Sequence, residues 1–197
     1  MGIKQLCATI ALLLVVSCSS ADQAEDVAPV ASTTTTTTVS TAPPTTEAAE
    51  MMLASPSFED QSPIPTEHTC DGADASPQLN VSGLSSRVRS LVIIVDDPDA
   101  PLGTWDHWVE FDIDAGPGSF EFPRDAPTLG VSGNNSWRIT GYMGPCPPEG
   151  EEHTYVFTVY ALDTILGLPE GVDSEAVRTA MTDHILDSAV LHGTYSR

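Results

Sequence analysis

The sequence predicts a mostly β (α+β) domain, and three observations support this prediction. Leu91 to Val95 is a continuous apolar run that is largely β-branched, which is typical of a strand buried on both faces. Other short apolar segments are separated by turns rich in glycine and proline. Only one segment, which begins at Ser174, has the apolar periodicity of a helix. Many short strands and few helices favour a mostly β architecture.

The first 17 residues have the features of an export signal. Lys4 supplies a positive charge, and Ile10 to Val16 is an apolar run of signal-peptide length that is too short to span a bilayer. The small residue Ser17 stands directly before Cys18, an order that resembles the bacterial lipobox. We therefore expect residues 1–17 to be removed and Cys18 to be lipidated, so that the exported protein is anchored at the bacterial cell membrane or cell surface. The alternative is an ordinary signal peptide with an incidental cysteine.

Residues 18–54 have the composition of a disordered linker rich in threonine and proline. Thr33 to Thr38 are consecutive threonines, and Pro43 and Pro44 follow shortly after them. Such a segment has almost no large apolar residues and cannot form a core, so we expect an extended spacer. The folded domain is then expected to cover residues 55–197.

The folded part begins with loops and short strands. Ile64 to Gly72 is rich in proline, aspartate and glycine and predicts a loop, whereas Ser76 to Val81 predicts a short strand. The buried strand is expected to end at Val95, because Pro98 and Pro101 follow and proline cannot continue a ladder. Three carboxylates should therefore lie at the end of this strand: Asp96, Asp97 and Asp99.

Two further strands carry candidate functional residues. Trp105 to Phe111 is rich in aromatic and β-branched residues and contains His107. Tyr155 to Leu162 follows a loop rich in proline and glycine, and the side chains of His153 and Tyr155 should share one face because they are two residues apart. Residues 112–136 predict an irregular surface connection with at most one short strand.

One helix is predicted near the C-terminus. Ser174 is a suitable N-cap, and Glu175 lies in the first turn, where the helix dipole favours an acidic residue. Apolar residues then recur every four positions at Val177, Met181, Ile185 and Ala189. We expect Gly193 to end this helix and His184, beside the stripe, to be packed.

The charge of the chain excludes some classes of partner. The chain carries 28 acidic and 7 basic residues, which gives a formal net charge of −21. Nucleic-acid binding and electrostatic docking on anionic lipid headgroups both require clusters of basic residues. We therefore predict no nucleic-acid partner, and we expect contact with the membrane only through the N-terminal lipid.

Asp97, Asp99, His107, His153 and Tyr155 are the candidates for chemistry. The two histidines lack a short paired spacing such as His-x-x-x-His, so neither a metal site nor a cofactor is predicted. No serine or cysteine lies in a nucleophile motif such as Gly-x-Ser-x-Gly, so no enzymatic activity is predicted. A cryptic hydrolase, in which an aspartate orients a histidine, is an alternative.

Four motifs, in this order, resemble those of the phosphatidylethanolamine-binding protein family. They are Asp-Pro-Asp-Ala-Pro at 97–101, Trp-x-His at 105–107, Gly-Pro-Cys-Pro-Pro-Glu-Gly at 144–150 and His-x-Tyr at 153–155. The likeness is to the bacterial YbhB/YbcL, or Raf kinase inhibitor-like, branch, and it runs from about Phe58 to the C-terminus. It implies a large central antiparallel sheet with a smaller sheet packed on it and one C-terminal helix.

The resemblance also implies a small anion pocket lined by Asp97, His107, Pro148, His153 and Tyr155. The imidazoles and the tyrosine hydroxyl can donate hydrogen bonds to phosphate oxygens, and Asp97 can orient a histidine or meet an ammonium group. The residues expected to support this pocket are Asp99, which should cap a turn, together with Trp105, Pro147 and Tyr142. Thr154 stands where family members commonly carry arginine, so the chain lacks that cation.

Two cysteines remain after Cys7 and Cys18 are assigned to the signal peptide and the lipid. Cys70 and Cys146 are an even pair in a domain that is expected to be exported. By analogy with the family, both lie in loops that border the pocket, and the resemblance therefore implies a disulfide between them. Two free thiols are the alternative.

The expected function is that of a surface-anchored binding protein for a phosphorylated or phospholipid-headgroup ligand. The family name also suggests a second class, an inhibitor that acts through protein–protein contact. For an exported bacterial lipoprotein, a protease is a better candidate target than a kinase.

Overall fold

The computed structural model describes residues 50–197, which contain nine β-strands and one α-helix. The predicted signal peptide, Cys18 and most of the predicted linker lie outside the described residues. In chain order, the elements are β1 (Met52–Ala54), β2 (Ser62–Pro63), β3 (Leu79–Leu84), β4 (Ser90–Asp97), β5 (Trp105–Ile113), β6 (Gly118–Phe122), β7 (Val131–Ser132), β8 (Glu152–Leu162), α1 (Ser174–Met181) and β9 (Ile185–Ser196).

The strands form two sheets, which confirms the predicted mostly β fold. The smaller sheet has the order β1-β3-β6, and the larger has the order β2-β9-β8-β4-β5-β7. Pairing is antiparallel except between the two-residue β2 and β9, which are parallel. Strand β1 pairs with β3, and its neighbour Met51 is buried, so the folded part begins a few residues before the predicted boundary at residue 55.

Strand β4 is buried on both faces, as its apolar run indicates. Leu91, Ile93 and Val95 face the core that lies between the two sheets. Val92 and Ile94 face a second core that includes Val177 and Met181 of α1. Since successive side chains of a strand point to opposite faces, this alternation decides where the carboxylates at the end of β4 point.

The predicted end of this strand at Val95 is wrong by two residues. Asp96 and Asp97 still pair with Asp106 and Trp105 of β5, and Asp96 also pairs with Val156 of β8. The ladder with β8 continues to Asp96 and the ladder with β5 to Asp97, the residue directly before Pro98, which cannot donate to a ladder. Asp96 and Asp97 therefore point to opposite faces of the sheet.

The predicted C-terminal helix is correct only in its first half. Helix α1 ends at Met181, and its N-cap is Asp173 rather than Ser174, because an Asp173 side-chain oxygen accepts a hydrogen bond from the Ala176 N–H at 2.9 Å. Residues 185–196 instead form β9, which pairs with β8 along its length. Ala189 is buried in the register of a strand, and such a long antiparallel ladder outweighs the apolar spacing of four.

Two smaller expectations about the C-terminal half are also wrong. The side chain of His184 is exposed, not packed, and its Nδ1 lies 2.9 Å from an oxygen of Asp163. Residues 112–136 contain two strands, β6 and β7, rather than at most one. Strand β6 belongs to the smaller sheet, and its Phe122 is fully buried against Trp108, with 5.9 Å between ring centroids. The proline and glycine content of this segment is typical of a loop. The sequence alone therefore does not indicate that β6 forms by pairing with the distant strand β3.

Helix α1 has eight residues. Within residues 50–197, no helix combines the length and the apolar character needed to cross a bilayer. The helix covers the outer face of β4 and β5, and the opposite face of β4 packs against the core that the two sheets share.

A buried carboxylate ties β5 to the loop before β7. Glu110 is 2% exposed, and its Oε1 accepts hydrogen bonds from the backbone N–H groups of Leu129 and Gly130, the latter at 2.8 Å. Its Oε2 accepts from the indole N–H of Trp108 at 3.2 Å. Three donors on one buried group fix the course of residues 126–132, which have little regular structure of their own.

We predict that Glu110→Gln destabilises the domain by about 2 kcal/mol, because an amide cannot accept all three bonds and removes the charge that strengthens them. The free energy of unfolding in urea measures this effect. Glu121→Gln, at an exposed position of β6, is the matched control and should change little. Equal unfolding midpoints for the two variants would contradict the prediction.

Candidate functional site

A cavity of about 350 Å³ opens at one end of the larger sheet. Strand β4 is antiparallel to both β5 and β8, so the end of β4 lies beside the beginnings of its two neighbours. This arrangement brings together residues that are far apart in the sequence. The cavity is lined by Asp97, Ala100, Pro101, Leu102, Trp105, His107, Trp137, Cys146, Pro148 and His153.

A buried ion pair joins β4 to β8 in the cavity wall. An oxygen of Asp97 lies 2.8 Å from Nδ1 of His153, and the two side chains are 6% and 4% exposed. The second oxygen of Asp97 accepts a hydrogen bond from the Asp99 N–H at 2.9 Å. Nε2 of His153 lies 3.3 Å from a carboxylate oxygen of Glu151. Burial opposes a charge on this ring, but the hydrogen bonds to Asp97 and Glu151 outweigh it and raise the pKa of His153.

His107, on β5, has a different environment. Its Nδ1 donates to the backbone carbonyl of Met143 at 2.6 Å, and Nε2 has no hydrogen-bond partner among residues 50–197. Burial lowers the pKa of His107, although the bond to Met143 and the charge of Asp97 act in the opposite direction. A carbonyl can only accept, so the neutral ring carries its proton on Nδ1 and keeps a lone pair on Nε2. The cavity therefore combines a histidine that favours the charged form with one that favours the neutral form.

Tyr155 lies behind His107 rather than in the cavity wall. Its ring meets that of His107 edge to face, with 5.2 Å between centroids. The hydroxyl is buried and has no hydrogen-bond partner among the described residues. Burial and the nearby charge of Asp97 raise its pKa above the usual range, so the hydroxyl stays protonated as an unused donor. Of the five residues predicted to line a pocket, four lie in the wall and Tyr155 supports it from behind.

Two tryptophans form an apolar part of the wall. Trp137 meets Trp105 edge to face at 5.4 Å between centroids and meets His107 in the same way at 5.0 Å. Leu102, in the loop after β4, is 92% exposed at the rim. Trp137 and Leu102 were not predicted, because each lies in a turn-rich segment whose position relative to the strands is not encoded locally.

The residues expected to support the site are only partly in contact with the cavity. Trp105 lines it, whereas Asp99, Pro147 and Tyr142 do not. Asp97 rather than Asp99 accepts the hydrogen bond within the turn, and Asp99 instead accepts from the Thr154 N–H at 2.8 Å, which ties the loop to β8. Thr154 itself is absent from the cavity wall.

Tyr142 and His68 join the loop before β3 to the loop before β8. The Tyr142 hydroxyl donates to the backbone carbonyl of His68 at 2.7 Å. His68 is fully buried, and its ring nitrogens lie 2.7 Å from the Ala75 carbonyl and 3.0 Å from the Ser57 hydroxyl. Sequence reasoning assigned no role to His68, because the surrounding loop residues show no periodicity that would predict burial.

Cys70 and Cys146 form a disulfide, as expected, with 5.5 Å between their Cα atoms. The loop that carries Cys146 is also held by the Cys70 N–H, which donates to Pro145 at 3.2 Å, and by the Gly144 N–H, which donates to Asp74 at 2.6 Å. Because Cys146 lines the cavity, this disulfide is part of the wall.

Asp96 points to the other face of the sheet, away from this cavity. Its carboxylate lies 2.7 Å from Arg178 of α1, and the nearby Asp106 accepts a hydrogen bond from Ser174. Burial and the neighbouring Asp106 raise the pKa of Asp96 to about 6, although Arg178 acts against this shift. These contacts fix α1 on the sheet. The part of the chain that the structure describes holds no cluster of three or more side chains arranged to bind a metal ion.

Comparisons with known proteins cover the region that forms this fold. The family model described as phosphatidylethanolamine-binding protein matches residues 54–196. A UPF0098 protein of Pyrococcus abyssi is 43% identical over 157 residues, which cover 75% of this chain and 86% of the relative. A UPF0098 protein of Aquifex aeolicus is 40% identical over 154 residues, which cover 76% of this chain and 90% of the relative.

Two crystal structures are similar to the described domain. A phosphatidylethanolamine-binding protein homologue from Chlamydia trachomatis has a TM-score of 0.70 and 37% identity, covering 75% of this chain and 98% of its own. YbcL of E. coli, described as a member of the mammalian family, has a TM-score of 0.69 and 29% identity, covering 76% of this chain and 99% of its own. The similarity therefore spans nearly the whole of each of these relatives.

Proposed function

The chain belongs to the phosphatidylethanolamine-binding protein family, and we propose that it is a binding protein whose cavity takes a phosphate group, either free or in a phospholipid headgroup. One observation carries this proposal: two imidazoles, His107 and His153, line the same partly apolar cavity. Buried nitrogen donors of this kind suit the oxygens of a phosphate.

The two histidines would act differently on a phosphate. In its charged form, which the raised pKa favours, His153 provides an N–H donor at Nε2, since Nδ1 is occupied by Asp97. Nε2 of His107 can donate only after the ring gains a second proton, because Nδ1–H is already directed at Met143. A bound dianion would stabilise that protonated form, so we expect ligand binding to take up a proton at His107.

The apolar part of the wall suits the carbon portion of a larger ligand. Trp105, Trp137 and Pro101 lie beside the histidines, and Leu102 extends the apolar surface to the rim. Pockets for small molecules commonly combine such apolar walls with a few directed polar groups. Titration calorimetry of the purified chain with inorganic phosphate, phosphoethanolamine and vesicles containing phosphatidylethanolamine tests the proposal. An absence of binding to all three would overturn it.

The cavity also favours binding over catalysis. The sulfur of Cys146 is held in a disulfide, so it is not available as a thiolate nucleophile. The hydroxyl of Tyr155 is buried behind His107, and its raised pKa keeps it protonated. We therefore infer that the protein binds its ligand without transforming it.

We further propose that the protein is exported and anchored through a lipid on Cys18, since the apolar segment and Ser17-Cys18 resemble a lipoprotein signal. Cys18→Ser should prevent lipidation and either release the protein or block its processing. Detergent phase partitioning of cell extracts measures this effect. Cys7→Ser, which changes the other cysteine of the same segment, is the control and should remain in the detergent phase. Recovery of the wild-type protein entirely in the aqueous phase would show that no lipid is attached.

A further inference from the structure

Both ring nitrogens of His153 are engaged by carboxylates. Nδ1 lies 2.8 Å from Asp97, and Nε2 lies 3.3 Å from Glu151. His153 lines the cavity, and Nε2 is the nitrogen that remains for a ligand once Asp97 holds Nδ1. Any anion that binds to His153 must therefore replace the carboxylate of Glu151.

The two carboxylates differ in how firmly they are held. The Asp97 side chain is 6% exposed and also accepts a hydrogen bond from Asp99, so it is fixed in the wall. The Glu151 side chain is 56% exposed, and its carboxylate has no other hydrogen-bond partner among residues 50–197. Asp97 thus belongs to the framework of the site, whereas the Glu151 carboxylate can rotate into solvent.

The backbone of Glu151 keeps that side chain close to His153. The Glu151 N–H donates to Pro148 at 3.1 Å, and the Glu151 carbonyl accepts from Arg197 at 3.4 Å. The neighbouring Gly150 N–H donates to the carbonyl of Arg197 at 2.7 Å. Because its backbone is anchored, the Glu151 carboxylate has a high effective concentration at Nε2 of His153. It leaves this nitrogen only when the side chain changes its rotamer.

We propose that Glu151 is a built-in competitor for the ligand position at His153, which lowers the affinity of the cavity for every anion and so sets a threshold for binding. This inference rests on the proposed function. When only a fraction of the protein is open to a ligand, the apparent dissociation constant of every ligand rises by the same factor. Weak monocarboxylates then fail to bind, whereas a phosphate dianion, with more charge and more acceptor oxygens, still binds.

The test is NMR titration of the histidine signals of the purified full-length chain with sodium acetate and with sodium phosphate. The pH is chosen so that His153 is charged in every variant, since Asp97, Asp99 and Glu151 all act on its pKa. Glu151→Gln and Glu151→Ala should tighten the binding of both anions by about threefold to fivefold, as expected for loss of one partly exposed ion pair. We expect acetate binding to be undetectable with the wild type and to become measurable in the Glu151 variants.

Glu152→Gln is the matched control, because it removes the same charge from the next residue, whose side chain makes no hydrogen bond to the His153 ring. Its affinities should equal those of the wild type. Unchanged affinities in both Glu151 variants would overturn the inference and leave the proposed function intact. Equal tightening in Glu152→Gln would also overturn it, because a general charge effect would then be the cause. Failure of all variants to bind phosphate would instead count against the proposed function.

Discussion

Replacement of both His107 and His153 by alanine should abolish phosphate binding. Each charge-assisted hydrogen bond contributes about 1.5–3 kcal/mol, so loss of two bonds lowers the affinity by at least about a hundredfold. Titration calorimetry measures the loss, and circular dichroism verifies that the variant is folded. Unchanged affinity in a folded double variant would remove the site assignment.

If the double alanine variant is unstable, a second variant can still test the assignment of the binding site. His153→Ala leaves the buried Asp97 without a partner, and an uncompensated buried charge is costly. His153→Gln retains a donor for Asp97 but carries no charge, and we expect it to bind phosphate weakly when combined with His107→Ala. The control is His184→Ala, which changes an exposed histidine between α1 and β9 that does not line the cavity, and this variant should bind as the wild type does.

The same assay has a defined pH dependence. The pKa of His153 is raised in the folded protein, so its charged form persists above the usual histidine range and is lost as the pH rises through the raised pKa. Affinity for the phosphate dianion, corrected for the ionisation of phosphate itself, should therefore be greatest on the acidic side of that pKa and fall above it. His107, whose pKa is lowered, should gain its proton on binding, which calorimetry in buffers of different ionisation enthalpy detects.

Removal of the disulfide should have the largest effect on stability. The bond joins residues 76 positions apart, and a crosslink over such a loop reduces the entropy of the unfolded chain, which corresponds to about 4 kcal/mol of stability. Cys70→Ala combined with Cys146→Ala should therefore lower the free energy of unfolding by about that amount. Phosphate affinity should also fall, because the loop that presents Cys146 and Pro148 to the cavity is released.

Reduction of the wild type by dithiothreitol provides an independent version of this experiment. It should lower the urea midpoint to that of the double variant, whereas the midpoint of the double variant itself should not respond to the reductant. Both cysteines are exposed, so the reductant can reach the bond. An identical midpoint for the oxidised wild type and the double variant would show that the crosslink does not stabilise the domain.

Local patterns were sufficient to predict the central strands, whereas the residues of the cavity were expected from the family resemblance. The apolar run of β4 indicates burial on both faces, and the strands carrying His107 and His153 were placed from their composition. The motifs of residues 97–101, 105–107 and 144–150 lie together around the cavity, because β4 is antiparallel to both β5 and β8. The disulfide followed from cysteine count together with family resemblance.

Other features depend on contacts between distant residues. The segment after Met181 has an apolar spacing of four that suits a helix, yet it forms β9, because the free edge of β8 offers a continuous ladder. Trp137 reaches the cavity only because the loop before β8 folds over β5. Likewise, the contact of Glu151 with His153 and the opposite pKa shifts of the two histidines arise from burial and neighbouring charges. A strand's periodicity is a local property of the sequence, but strand partners, solvent exposure and electrostatic fields exist only once the chain has folded.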